Sequence, residues 1–284
     1  MANEDMKEGW NGVSGAEWVR LHDRYDRHLA TWAELILDTA AIDSGESVLD
    51  IGCGNGETTR RAARAAAPEG RAVGVDLSEP MLAQARKRAA EDGIANVDFV
   101  VGDAQTDPLG GPYDVAISRF GVMFFDDPVA AFANVDRAMR PGGRLAIVSW
   151  APLSEQQWLL VPVGAALEHL PPPELGEPGG PGMFGLSSIE EITDVLTRAG
   201  WTDVDVRPHR RTMPVGGGRN LDETMEYLVS SHTGRSMLEG ADPDLAAKAI
   251  DAMRAALEPH LTDRGVELEG ATLMTTALAS GRSG

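Results

Sequence analysis

Three glycines at alternate positions follow a short apolar run, and their spacing indicates a chemistry more clearly than any other part of the chain. The apolar run, residues 48–51, predicts a buried parallel strand, and Gly52, Gly54 and Gly56 separate it from a helix-compatible segment. Glycine lets the backbone turn sharply and approach a ligand closely, because it has no Cβ. A second apolar run ends twenty residues later at Asp76, where nucleotide-binding α/β folds place the acid that accepts ribose hydrogen bonds. Together these residues predict a nucleoside-binding unit.

Two acids distinguish this loop from the dinucleotide pattern. That pattern has glycine at the first, third and sixth positions, and the sixth position here is Glu57. A carboxylate at a helix start complements the helix dipole but repels a pyrophosphate. Asp50, two residues before the first glycine, is also foreign to the dinucleotide pattern. An acidic loop suits a cofactor that carries positive charge, as S-adenosylmethionine does through its sulfonium and amino groups.

Three more strand-like segments follow, and each has polar or glycine-rich residues at one end. They cover residues 96–101, 113–118 and 144–150. In order, the segments VLDIGCGNG, VGVDLS, GDA, YDVAIS and RPGGRLAIVSW resemble the motif series of the Rossmann-like (class I) S-adenosylmethionine-dependent methyltransferases. The chain is most similar to the branch that contains small-molecule and quinone-ring methyltransferases, and the resemblance covers roughly residues 35–210.

The resemblance implies a set of cofactor-binding residues. The methionine part of the cofactor would be bound by Asp50, Gly52, Gly54 and Gly56, and the ribose hydroxyls by Asp76. The adenine would be contacted by Leu77, Met81, Asp103 and Ala104. The sulfonium would lie beside Ser118, Arg119 and Phe120. In this family Asp50 would bond to the amino group directly or through water. The motifs are specific for fold and cofactor and say almost nothing about the acceptor.

The implied fold is α/β, with a seven-stranded, mostly parallel sheet flanked by helices and helical cap insertions. We expect an N-terminal helical cap over residues 1–44, in which Trp10, Trp18 and Tyr25 recur at helical intervals. The cofactor-binding core is expected over 45–213 and includes a lid insertion at 151–186. A helical insertion at 214–262 precedes the last strand and C-terminus, 263–284. Within these parts we predict helices at 155–170, 187–199, 221–231 and 244–261, and a Pro/Gly-rich loop at 171–185.

Composition argues against several partners. The 284-residue chain has a formal net charge of −19, whereas binding of nucleic-acid phosphates needs clustered Lys and Arg. The short basic runs 60–61 and 86–88 are expected on solvated helix faces. We therefore expect a small-molecule acceptor and neither a nucleic-acid nor a membrane partner, with a homodimer left open.

Targeting, redox and metal patterns are simple. Cys53 is the only cysteine, so no intrachain disulfide can form, and it is interpreted as a small spacer in the glycine loop. No signal-peptide pattern and no bilayer-length apolar segment is present, which favours a cytoplasmic enzyme. Lysine is rare while arginine and alanine are plentiful, a bias that fits a high-GC bacterial genome and also a salt-adapted organism. The six histidines have no metal-ligand spacing, so no metal is expected.

The acceptor chemistry remains open at the level of sequence. Methyl transfer to oxygen, nitrogen or carbon of a largely apolar or aromatic acceptor is expected, and a phenol or enolisable carbon would need a proton removed. No catalytic residue is assigned, but His169, before the Pro/Gly-rich loop, is favoured as a base over the other candidates, His22, His28, His209 and His232. The alternatives are a non-methylating cyclase- or decarboxylase-like enzyme that retains the cofactor, a non-enzymatic cofactor-binding partner protein and, last, a nicotinamide oxidoreductase.

Overall fold

A mixed β-sheet runs through the centre of the computed structural model, which describes residues 4–173 and 180–280. The strands are β1 (Ser47–Ile51), β2 (Arg71–Asp76), β3 (Val97–Val101), β4 (Tyr113–Arg119), β5 (Met139–Trp150), β6 (Thr202–Pro214), β7 (Leu261–Thr262) and β8 (Gly265–Leu278). Their order is β3-β2-β1-β4-β5-β8-β6, and β7 pairs only with β8, off this path. Strands β1 to β5 pair in parallel, while β8 is antiparallel to both β5 and β6.

The predicted α/β class is confirmed, and the strand count is corrected from seven to eight. The additional strand, β7, is a two-residue partner in a tight hairpin with β8. Two exposed residues carry no period-2 apolar pattern, so the sequence offered no signal for it. The antiparallel last strand lies where the sequence predicted it.

The sheet is covered on both faces along β1, β2, β4 and β5, whose residues are mostly buried. Val48 and Leu49 are neighbours on β1 and are both fully buried, yet they belong to different hydrophobic clusters. Successive side chains of a strand point to opposite faces, so these clusters are the two cores of the molecule. The helices between the core strands are α5 (Glu57–Ala66), α6 (Glu79–Glu91), α7 (Pro128–Arg137) and α9 (Ile189–Ala199).

Helix ends agree with the capping signals in the sequence. Ser78 caps α6 by accepting from the Met81 N–H, and Ser188 caps α9 by accepting from the Glu191 N–H. Gly200 ends α9 in the left-handed conformation with φ 101°, directly after the predicted helix bound at residue 199.

The remaining helices lie outside the alternating strand–helix core. They are α1 (Glu4–Asn11), α2 (Val13–Arg20), α3 (His22–His28), α4 (Ala30–Ala40), α8 (Gln157–Ala166), α10 (Leu221–Ser230), α11 (His232–Leu238) and α12 (Pro243–Leu257). The predicted helices 155–170 and 244–261 are shorter than expected, and α11 was not predicted. The predicted Pro/Gly-rich loop lies in part, at 174–179, outside the described residues. None of the described helices is long and apolar enough to cross a membrane.

Candidate cofactor and acceptor cavities

A cavity of about 180 Å³, here called the cofactor cavity, lies beside the loops that follow β1, β2, β3 and β4. In open α/β sheets ligands bind at this carboxyl end of the strands. Nine of the twelve residues predicted to bind the cofactor line this cavity: Gly52, Gly54, Asp76, Leu77, Met81, Asp103, Ala104, Arg119 and Phe120. Their roles toward a ligand remain predictions, but the fold brings them to one place.

The glycines allow two loop backbones to touch at the floor of the cavity. Gly52 has φ 64°, and a Cβ added there would lie 2.7 Å from the Cα of Gly121. The neighbouring Phe120 has φ 65°, a conformation that is costly for a residue with a side chain. Its ring stacks on Trp150 with centroids 4.3 Å apart, so packing holds this strained residue against the cavity.

Asp76 is held as an acceptor by two backbone donors. Its Oδ2 accepts from the Gly54 N–H at 2.8 Å, and its Oδ1 accepts from the Ser78 N–H at 2.9 Å. Burial raises the pKa of Asp76, and the hydrogen bonds to these backbone groups oppose that rise. Each carboxylate oxygen can accept a further hydrogen bond, as a ribose diol requires.

Three predicted cofactor residues do not reach the cofactor cavity, and the reasons differ. Asp50 is fully buried beneath it, where its Oδ2 accepts from the hydroxyls of Thr58 and Thr59, each at 2.7 Å. Burial raises the pKa of Asp50 to about 6, although these hydroxyls lower it. Gly56 is the N-cap residue of α5 and has φ 73°. The buried Ser118 hydroxyl donates to the Ile51 carbonyl at 2.6 Å. Their roles toward a ligand stay predictions, and Asp50 Oδ1 is buried without a hydrogen-bond partner in the described part of the chain.

Two separate groups of ion-paired side chains contribute residues to the wall of the cofactor cavity. Glu57 accepts from Arg119 at 2.7 Å and from Arg61 at 3.1 Å, so its charge is compensated on both sides. On α3, Asp26 accepts from Arg88 at 2.5 Å. The expected solvation of the basic runs is wrong in part, because Arg60, paired with Asp92, is buried and Arg88 is mostly buried against Asp26. Asp26, Glu57 and Arg119 all line the cofactor cavity.

Hydrogen bonds fasten the N-terminal helices to the loops around the cofactor cavity. The Trp10 carbonyl accepts from the Ser78 hydroxyl at 2.7 Å, and the Asn11 amide donates to the Leu77 carbonyl at 2.9 Å. Asn55, in the glycine loop, donates to the Trp18 carbonyl at 3.0 Å. Helices α1 and α2 thus contact both the glycine loop and the loop that carries Asp76.

A second cavity of about 410 Å³, here called the acceptor cavity, adjoins the first. Its walls come mainly from α1, α2, α8, α10 and α11, and its side chains are mostly apolar. Seven residues line both cavities and form the boundary between them: Trp10, Trp18, Tyr25, Phe124, Trp158, Met183 and Tyr227. Trp18 stacks on Tyr25 with centroids 3.8 Å apart, and Tyr25 meets Tyr227 edge to face.

His28, not His169, is the histidine that reaches the cofactor cavity. His169 lies half-buried beyond the end of α8 and lines neither cavity. His28 is buried beside Trp158 and Tyr227, and its Nδ1 lies 2.9 Å from the Pro214 carbonyl oxygen. Burial lowers the pKa of His28 to about 4, so its imidazole is neutral at neutral pH. The Gly216 N–H is directed at the same nitrogen at 3.2 Å, so only one of the two contacts can be a hydrogen bond, and we assign the proton to Nδ1 from the shorter contact with Pro214.

Sequence reasoning did not assign Asp26, Gly121 or Tyr227 to the site. Asp26 lies in the polar stretch HDRYDRH, where no motif distinguishes it from a solvated helix face. Gly121 follows Phe120 directly, and only the fold reveals that Gly52 packs against it. Tyr227 comes from a helix almost two hundred residues after the first cap helices, so no local spacing could associate it with them.

Comparison with known proteins shows which domain family the glycine loop and strands β1 to β4 resemble. Residues 48–143 match the model of a methyltransferase domain family. The nocamycin O-methyltransferase of Saccharothrix syringae is 32% identical over 184 residues, which are 61% of this chain and 65% of that protein. The aklanonic acid methyltransferase DauC of Streptomyces sp. (strain C5) is 34% identical over 143 residues, which are 48% of this chain and 65% of that protein.

The fold has relatives of known structure across most of its length. The YcgJ protein of Bacillus subtilis has a TM-score of 0.53 at 20% identity and covers 90% of this chain and all of its own. The chain spans less than two thirds of the length of the curated relatives it matches. The match over residues 48–143 supports the resemblance to class I S-adenosylmethionine-dependent methyltransferases predicted from the motifs and, with it, S-adenosylmethionine as the cofactor.

The cofactor cavity fits S-adenosylmethionine in chemical terms. The glycine loop leaves space that a Cβ at Gly54 would fill, since that atom would lie 2.8 Å from Met81 Cε. Asp76 offers acceptors for a diol, while Leu77 and Met81 offer apolar surface for a flat base. The acids Asp26 and Glu57 on the same wall suit a cofactor with a positive charge.

Proposed function

We propose that this protein transfers a methyl group from S-adenosylmethionine to a small, largely apolar or aromatic acceptor. The observation that carries the proposal is the acceptor cavity, which is larger than the cofactor cavity and shares an aromatic boundary with it. Apolar walls favour an apolar guest, at about 25 cal/mol for each Å² of apolar surface removed from water. The relatives named for nocamycin and aklanonic acid support a small-molecule acceptor.

S-adenosylmethionine, when bound, supplies a methyl group on a positively charged sulfur. The protein would contribute alignment and the exclusion of water, because aromatic side chains form the wall that the two cavities share. Tyr227 would orient the acceptor by donating from its hydroxyl, since burial raises its pKa and keeps it protonated, and the Tyr25 hydroxyl, whose pKa burial also raises, hydrogen-bonds to Tyr227.

His28 would accept the proton that an acceptor hydroxyl loses. With its proton on Nδ1, the imidazole presents Nε2 as a hydrogen-bond acceptor. A low pKa makes His28 a weak base, so transfer to it would become favourable only as the new bond to the methyl group acidifies the hydroxyl. Removing His28 should therefore lower the rate with phenolic acceptors more than it lowers cofactor affinity.

The experiment is a transfer assay with methyl-labelled S-adenosylmethionine. A panel of phenols, hydroxyquinones and aromatic amines would be run beside tRNA, DNA and total protein, and Asp76→Asn would report label transfer that does not depend on the cofactor cavity. We expect label in one class of small molecules and none in the polymers. Label confined to a polymer would overturn the proposed acceptor class. Tight cofactor binding without any transfer would favour the non-methylating alternative.

A further inference from the structure

A buried acid from the N-terminal helices lines the acceptor cavity. Glu17 belongs to α2, its side chain is 6% exposed, and its Oε2 accepts from Arg235 of α11. Its Oε1 is buried and accepts no hydrogen bond within residues 4–173 and 180–280. A buried carboxylate oxygen without a donor is costly, so a bound molecule that supplies the donor would be stabilised there. The terminal torsion of a Glu side chain is soft, so a small rotation presents Oε1 to such a molecule.

The ion pair with Arg235 determines which kind of donor suits this oxygen. Arg235 lines the same cavity, and its Nη1 donates to Glu17 and to the Ser230 carbonyl. The pair carries no net charge, so an ammonium group would lose its hydration and meet no uncompensated negative charge. A carboxylate would be repelled by Glu17. A neutral hydroxyl avoids both costs and donates one hydrogen bond to a charged acceptor.

Glu17 lies beside the boundary between the two cavities but is not part of it. It lines the acceptor cavity alone, whereas its neighbour Trp18 lines both cavities. Burial raises the pKa of the boundary residue Tyr227, and the charge of Glu17 raises it further, so the two side chains are electrostatic neighbours. A hydroxyl that Glu17 holds is therefore separate from the group that receives the methyl, since that group must reach the cofactor cavity.

We propose that the acceptor carries a neutral hydroxyl remote from its methylated atom, and that Glu17 Oε1 accepts the hydrogen bond from this hydroxyl. The acceptor class becomes a largely apolar or aromatic molecule with two separated polar groups. Glu17 selects and orients this molecule and takes no part in proton transfer, because it does not line the cofactor cavity. The inference rests on the proposed function, since it requires that the acceptor cavity holds the acceptor.

A purely structural role of Glu17 would have a different signature. Its ion pair connects α2 with α11, so loss of the pair alone could lower stability or change the affinity for every ligand of the cavity. A hydrogen bond to one hydroxyl instead changes the affinity for ligands that carry this hydroxyl and leaves others unchanged. Preference between two ligands that differ in one group is therefore the property to measure.

The test is calorimetric titration of the full chain, saturated with S-adenosylhomocysteine, with three methoxynaphthalenes. All of them carry the methoxy group that a methylated product would present to the cofactor cavity. 2-Methoxynaphthalene has no second group, 6-methoxy-2-naphthol adds a hydroxyl, and 6-methoxy-2-naphthoate adds a carboxylate. We expect the wild type to bind the naphthol about tenfold to a hundredfold more tightly than 2-methoxynaphthalene, and more tightly than the naphthoate.

Three variants separate the hydrogen bond from the ion pair. Glu17→Met removes both oxygens and should bind the naphthol and 2-methoxynaphthalene within about twofold of each other, with the affinity for 2-methoxynaphthalene retained. Glu17→Gln keeps a neutral acceptor and should retain part of the preference. Glu226→Gln is the matched control, because Glu226 is an exposed acid of α10 that pairs with Arg24 and lines neither cavity. It should keep the full preference.

The possible outcomes distinguish this inference from the proposed function. Binding of S-adenosylhomocysteine shows that a variant is folded, and the wild-type preference together with Glu17→Gln decides the test if Glu17→Met does not fold. A wild type without preference for the naphthol, or a Glu17→Met protein with the full preference, would overturn the inference and leave the proposed function standing. A wild type that binds S-adenosylhomocysteine but none of the three naphthalenes would overturn the inference and the apolar acceptor together.

Discussion

At the scale of single residues, the sequence predicts best where backbone geometry and chemistry coincide. Gly52 and Asp76 lie where their motifs predicted, because a turn that requires glycine and an acid at a strand end leave little alternative. Asp50 and Ser118 carry the same motif signal, yet both point into the protein behind the loop. A sequence motif indicates that a residue lies near the ligand site, but it does not distinguish a side chain that lines the cavity from one buried behind the loop.

Asp76 should dominate the affinity for the cofactor ribose. Asp76→Asn keeps one oxygen, so one of its two backbone N–H donors loses its acceptor, and the charge that strengthens bonds to ribose hydroxyls is lost, at a cost of about 2 kcal/mol and thus about thirtyfold in affinity. Calorimetry with S-adenosylhomocysteine measures the change. Asp98→Asn, at an exposed position of β3, is the matched control and should bind normally. Unchanged affinity in Asp76→Asn would remove this residue from the site.

His28 should make the protein less stable in acid. Its pKa is about 4 in the folded protein and about 6.5 when unfolded, so below pH 6.5 the unfolded chain binds a proton that the folded chain does not. Stability therefore falls as the pH falls toward 4. Between pH 7.5 and 5 the wild type should lose about 2 kcal/mol more unfolding free energy than His28→Gln. Urea denaturation of both proteins at the two pH values checks this, and parallel curves would contradict the assignment of a neutral, buried His28.

At the scale of elements, helix-capping residues and hydrophobic periodicity determine how well the bounds of a helix can be predicted from sequence. Helix α9 lies where predicted, because Ser188 and Gly200 mark its ends and its apolar face is regular. Helix α8 is uniformly apolar and ends before its predicted boundary, so periodicity gave no end point. Side-chain contacts between distant elements, such as Asn55 with the Trp18 carbonyl, have no signal in local sequence.

The N-terminal helices should be required for a closed cofactor cavity. Deleting residues 1–20 removes Trp10, Asn11 and Trp18, which hydrogen-bond the cofactor loops or line both cavities. We expect S-adenosylhomocysteine affinity to fall by about tenfold and methyl transfer to be lost, because water then enters one side of the cavity. Asn11→Ala should give a smaller loss. A truncated protein that remains folded and fully active would show that these helices only cover the core.

At the scale of the whole molecule, the helices outside the matched domain form most of the acceptor cavity. The domain match extends over residues 48–143, and the acceptor cavity is built almost wholly from helices on either side of that segment. This is why motifs predicted the cofactor and not the acceptor. The net charge of −19 disfavours polyanions at long range and has little effect on a neutral guest.

The most direct test asks whether the cofactor cavity binds the cofactor while the acceptor cavity separately binds the acceptor. Val163 on α8 lines only the acceptor cavity, and Val163→Trp would fill that space, while Leu160→Trp adds the same ring at an exposed position of the same helix. Transfer of labelled methyl to the best small acceptor of the panel would be measured with S-adenosylhomocysteine affinity. We predict that Val163→Trp abolishes transfer while affinity stays within about twofold, and that Leu160→Trp changes neither. Undiminished transfer by a folded Val163→Trp protein would contradict the account.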